Sequence, residues 1–186
     1  MNLVYELKGA HYDGINSIDV SPGMSMLVSS GNDATASVFD LKQKRVIKKL
    51  TFRDNDCKDA RGNADLSNFG IRGCFFSTDG QFVYILASKA QYKSYLAKYR
   101  ISSKMMGSYP VFSFEPIETI EVHTNATSKM FLAKTGLLLA IGTSDGFIKL
   151  FDVEASSMIL SQKRHNLPVV CAAFVGINDL GSPQQL

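Results

Sequence analysis

The chain has 186 residues, 45% of them hydrophobic, with 20 Lys and Arg against 17 Asp and Glu, a composition ordinary for one globular domain. A formal charge of +3 is a mild excess, well short of the concentrated basic charge of nucleic-acid binders, so nucleic acid is not expected as the main partner. No apolar run approaches the ~18 residues of a membrane-spanning helix, and Met1 to Glu6 lack the basic start and apolar core of a secretory signal. Alternating apolar residues bounded by Gly, Asp, Ser and Asn predict strands throughout. In chain order they fall at 3–7, then 15–20, 26–30, 36–41 and 46–52, then 73–76, 82–87, 95–101 and 117–122. A third group falls at 129–132, 137–142, 147–153 and 158–163, and a single strand at 169–174 ends the series. Two polar or irregular insertions, 53–68 and 102–115, read as loops. The three cysteines Cys57, Cys74 and Cys171 show neither CxxC nor Cys/His ligand spacing, which argues against zinc and against a disulfide framework. Cys74 and Cys171 lie in apolar runs and are expected in the core.

One interval occurs twice. His11 precedes Asp40, in Phe39-Asp40, by 29 residues, and His123 precedes Asp152, in Phe151-Asp152, by the same number. Between each His and its Phe-Asp come three short strands and two turns, the second turn carrying Asp33 in one copy and Asp145 in the other. His165 starts the pattern again 42 residues after His123. Repeats of about 40–45 residues opening on His and closing on a Trp-Asp-like pair mark WD-type propeller blades. The expected fold is therefore all-β, a partial WD-type β-propeller. Its blades are expected at 15–52, 71–122 and 127–163, with the start of a further blade at 169–174. Three blades do not close a ring of the usual 4–8, so the chain reads as part of a longer propeller, with closure by a second copy as the alternative.

His11, Ser29 or Ser30, and Asp33 have the residue types of a nucleophile–base–acid set. In WD blades the same types form a structural hydrogen-bond network that reaches a Trp on the third strand. Here Phe39 and Phe151 stand at the Trp position, so the network lacks its indole donor and the rings serve packing. No P-loop, GxGxxG or HExxH is present, so enzymatic chemistry is not expected. The basic run Lys42 to Lys49 reads as a charged outer strand that protects an edge.

Several stretches together resemble one family: the endoplasmic-reticulum exchange factors for the Sar-type small GTPase, which include the prolactin regulatory element-binding protein. They are the Ala-His turn with Asn-Asp-Ala-Thr-Ala-Ser-Val-Phe (within 8–41), Arg-Gly-Cys-Phe-Phe at 72–76, the segment 137–148, and Arg-His to Phe at 164–174. The resemblance implies a guanine-nucleotide exchange factor for a Sar-type GTPase at the cytosolic face of the endoplasmic reticulum, initiating COPII coat assembly. Such exchange involves no covalent step; it rests on preferential binding of the nucleotide-free GTPase. The family's potassium-binding loop belongs to its first blade, upstream of Met1. No cofactor is therefore expected in this segment, and no metal site. The family's C-terminal membrane anchor would follow Leu186, so this segment itself is expected to make no membrane contact. The alternatives are a generic WD interaction scaffold without exchange activity and a DNA-binding regulator.

Overall fold

The computed structural model describes residues 5–23, 25–54, 67–90, 92–133 and 135–174. They form three four-stranded antiparallel sheets with strictly sequential neighbours. The first sheet contains β1 (Ile15–Val20), β2 (Met26–Gly31), β3 (Ala36–Asp40) and β4 (Arg45–Leu50). The second contains β5 (Gly70–Phe76), β6 (Phe82–Ser88), β7 (Ser94–Met106) and β8 (Tyr109–His123). The third contains β9 (Thr127–Leu132), β10 (Leu138–Thr143), β11 (Phe147–Asp152) and β12 (Ser157–Lys163). The first strands β1, β5 and β9 stand side by side, so the sheets are successive blades with β4, β8 and β12 outermost. Asp19 of β1 accepts a hydrogen bond from the Phe76 backbone N–H at 2.7 Å, and Asn16 donates to the Ile71 carbonyl at 2.9 Å. These bonds tie the first blade to the inner strand of the second.

Because side chains alternate along a strand, one strand of the middle blade serves two cores. Val83, Ile85 and Ala87 of β6 join Val28, Val38 and Ile71 in the core between the first and second blades. Tyr84 and Leu86 point the other way and join Leu139, Ile141 and Phe151 in the core between the second and third. Burying each of these larger apolar side chains contributes about 1.5–3 kcal/mol. The central strands β2, β3 and β6 are accordingly buried along nearly their whole length, whereas the outer β4 and β12 are mostly exposed.

Four expectations need correction. The region 102–115 is not a loop. β7 and β8 run on past Ile101 as a two-stranded ribbon, paired from Ile101–Phe114 to Met106–Tyr109. Gly107 at φ +63° supplies the positive φ that the first position of a two-residue hairpin turn needs. The ribbon holds because Ile101, Phe112 and Phe114 pack on the first core. Second, 169–174 forms no strand. Val169 instead donates its N–H to the Thr143 carbonyl at 3.1 Å, and its own carbonyl accepts from the Ser128 hydroxyl. It lies so close over Gly142 that a β-carbon there would be 2.8 Å away, and no partner strand stands beside it among the described residues. Third, Tyr5 to Leu7 are not strand; Tyr5 donates to the Lys44 carbonyl at 3.1 Å. Fourth, Cys171 is exposed while Cys74 is buried. The 55–66 part of the first insertion, with Cys57, lies outside the described residues.

Candidate functional site

Of the residues singled out by spacing, all but His165 come together in one buried cluster, one half-buried cluster and two turns. In the first blade, His11 Nδ1 lies 2.9 Å from Asp33 Oδ1, and His11 Nε2 shares a hydrogen bond with Ser29 Oγ at 2.7 Å. Thr35 donates to the same Asp33 oxygen at 2.8 Å, and Ser37 donates to the Ala10 carbonyl at 2.9 Å. The His11 and Asp33 side chains are 1% and 0% exposed. Gly31 is required by contact, since a β-carbon there would lie 2.4 Å from His11 Nδ1. Burial pushes the Asp33 carboxyl toward a higher pKa. The hydrogen bonds from His11 and Thr35 and the His11 charge outweigh it and hold the group below its ordinary value.

Between the second and third blades, His123, the last residue of β8, has its Nε2 2.9 Å from Asp145 Oδ1, and the Thr143 hydroxyl donates to the same oxygen at 2.5 Å. Burial raises the Asp145 pKa, but the bonds from Thr143 and His123 and the His123 charge lower it further, to a net depression. The His123 ring also sits 5.5 Å from that of Phe147. Thr143 does here what Thr35 does in the first blade, from the strand rather than the turn.

Asp40 and Asp152 do another job. Asp40 Oδ1 accepts from the Gln43 N–H and Asp152 Oδ1 from the Ala155 N–H, each at 2.8 Å. Each closes a turn that ends four residues on at positive φ, Lys44 at 55° and Ser156 at 51°. Phe39 and Phe151 are 1% and 2% exposed and fill the layers beside these turns. His165 is exposed. Its backbone N–H donates to the Gly146 carbonyl at 3.1 Å, and no carboxylate among the described residues meets its ring.

No histidine precedes β5 as His11 precedes β1, and spacing alone missed what replaces it. Ser94 donates to Ser88 Oγ at 3.1 Å and to the Asn125 carbonyl at 2.6 Å, while the Thr127 N–H donates to Ser88 Oγ at 2.9 Å. Hydroxyls thus bridge the second blade to the third. At its junction with the first blade, Phe52, Phe69 and Tyr95 stack edge and face with centroids 5.2–5.9 Å apart. The pair Ser88 and Ser94, one on each side of a hairpin, was the available sequence signal.

Ser29, His11 and Asp33 thus reproduce the order of bonds in a hydrolytic triad. The site is not one: Ser29 is 2% exposed, and a triad needs an accessible nucleophile with oxyanion donors around the attacked carbonyl. The groups instead lock the turn between β2 and β3 onto the segment preceding β1. Among the described residues no three or more His, Cys, Asp or Glu are grouped to hold a metal, and no helix is long and apolar enough to cross a membrane.

Residues 1–40 match the family described as "WD domain, G-beta repeat". No curated protein matches the sequence significantly. Among solved structures, "Crystal structure of RRP9 WD40 repeats" and "Structure of U3-55K" each share 17% identity at TM-score 0.62, covering 90% of this chain and 43% of theirs. "Kuenenia stuttgartiensis Hydrazine Synthase" shares 15% identity at TM-score 0.57, covering 81% of this chain and 37% of that one. The chain thus spans less than half the length of the structures it resembles. At these identities the likeness concerns the fold, which hosts more than one activity. Three sequential four-stranded blades make the chain all-β, with a fold like that of WD40-repeat structures and a WD-repeat match over residues 1–40.

Proposed function

We propose that the chain is a protein-binding platform, and that its partner is a Sar-type small GTPase whose GDP release the whole protein promotes at the cytosolic face of the endoplasmic reticulum. The observation that carries the platform reading is the commitment of the buried His11–Asp33 pair and the half-buried His123–Asp145 pair to structural bonds. The residue types with catalytic potential are thereby consumed in holding blades and turns, and a rigid scaffold with exposed loops remains. The finer reading rests on the resemblance of 8–41, 72–76, 137–148 and 164–174 to the exchange-factor family. That reading assigns the family's potassium-binding loop and its membrane anchor to parts of the protein other than these residues.

The test is release of fluorescent GDP from the GTPase, followed with residues 1–186 and with a longer form that carries the family's loop. Acceleration by the longer form alone is expected, with both forms retaining nucleotide-free GTPase better than GDP-loaded GTPase. Equal acceleration by residues 1–186 would overturn the assignment of the active loop to another blade. Absence of both binding and acceleration would leave a scaffold for a different partner.

A further inference from the structure

The ribbon that replaces the expected loop at 102–115 extends past its own blade. β6 pairs with β7 as far as Phe82–Arg100, with one more bond from the Ile101 N–H to the Gln81 carbonyl at 2.7 Å; beyond it β7 and β8 pair with each other. Residues 101–114 carry a single charge, Lys104, and no acid. At the tip, Met105, Met106 and Tyr109 are 68%, 69% and 66% exposed, although nothing in the hairpin turn demands apolar residues there. One face of the ribbon leans on the outer strand of the first blade, in a groove lined by Arg45, Val46, Ile47, Pro110, Val111 and Phe112.

That neighbouring strand is the most basic part of the chain. Residues 41–53 contain six Lys and Arg and no acid. Lys42, Lys44, Arg45, Lys48 and Lys49 are exposed, and among the described residues no carboxylate pairs with any of them. The only acid at the turn, Asp40, is buried and bonded to the Gln43 N–H. Tyr5 lies against Lys44, whose ammonium is 5.1 Å from the ring centroid. A narrow apolar wedge therefore stands beside a ledge of exposed cations that, among the described residues, meet no carboxylate.

We infer that this wedge and ledge form a docking site for an anionic lipid bilayer. The two Met side chains and the Tyr109 ring enter the headgroup boundary, and the cations of 42–49 meet the lipid phosphates and carboxylates. Shallow apolar insertion combined with basic residues is how peripheral proteins hold anionic membranes. A bilayer fits better than an acidic protein for two reasons. The two-residue turn, flanked by Met106 and Tyr109, projects beyond the groove at its base and offers an apolar edge rather than a pocket. Cations strung along a rim need no fixed spacing when the opposing charges are laterally mobile. The site departs from the expectation that this segment makes no membrane contact, and it does not depend on the identity of the GTPase.

Co-sedimentation of the 186-residue chain with vesicles of phosphatidylcholine, with and without phosphatidylserine, tests it. Binding to the phosphatidylserine vesicles only is expected, weakening as salt rises. The paired variants Met105→Ser with Met106→Ser, and Lys42→Glu with Lys48→Glu, should each lower that partitioning by about tenfold at unchanged Tm, since all four side chains are exposed. Equal binding to both vesicle types, no binding to either, or variants that bind like the parent would each overturn the assignment. Saturable binding of poly-glutamate without vesicle binding would also overturn it, and would give the ledge to acidic proteins.

Discussion

At the residue scale, the two histidine clusters are solved differently although their spacing is identical. A carboxylate only accepts, so the nitrogen facing it must carry a proton. In His11 that nitrogen is Nδ1 and in His123 it is Nε2; the same interval in sequence thus places the ring by opposite edges. Asp33 is fully buried and its folded pKa is depressed, so its contribution to stability is present above the ordinary aspartate value of about 3.9. It is lost as pH falls from there through the lower folded value. Asp33→Asn should therefore cost about 1–3 kcal/mol near pH 7. The deficit against the parent should shrink below pH 4 in urea titrations; a deficit independent of pH would mean the charge plays no part. Asp145 is depressed too, but its side chain is 36% exposed, so solvent screening makes its share smaller. His11, Asp33, His123 and Asp145 were legible from spacing. The serine bridge of the middle blade was not, because Ser occurs in turns and strands alike and its partners lie 31 and 39 residues away.

At the scale of elements, the alternation within β6 makes a sharp expectation. Ile85 and Leu86 are adjacent and both fully buried, yet they face different cores. Truncating either to Ala should cost about 2–5 kcal/mol. Hydrogen exchange should distinguish them: Ile85→Ala loosens amides of β2 and β3, and Leu86→Ala those of β10 and β11. Identical exchange patterns would show that the sheets open as one unit. Most strands were visible in the sequence, because half-buried strands write period 2 directly. The 102–115 ribbon was hidden by Pro110 and by Ser102, Ser103, Ser108 and Ser113, which read as loop residues, although the alternating Ile101, Phe112 and Phe114 carried the packing. The strand expected at 169–174 failed for a different reason. Its apolar residues suit a strand, but pairing needs a neighbour, and Val169 finds backbone partners in the third blade instead.

On the scale of the whole molecule, both cores meet on the middle blade, and the outer blades meet at their inner strands, where Lys129 donates to the Asn16 carbonyl at 3.2 Å. The arrangement is the nearest-neighbour stacking of a repeat protein, with Gly73 marking one seam: a β-carbon there would lie 2.7 Å from the Met130 methyl. The likeness to much longer WD40 chains follows from this seam geometry, which any number of blades can repeat, so the three-blade fold was readable from two repeats while the activity was not. The long ribbon carries a last consequence. Thirteen residue pairs join β7 to β8, and the connection at their far end contributes to neither core. Severing the backbone between Gly107 and Ser108 should thus yield two pieces that stay together and co-elute without denaturant. A cut between β6 and β7 should instead release a fragment unable to hold its half of either wall.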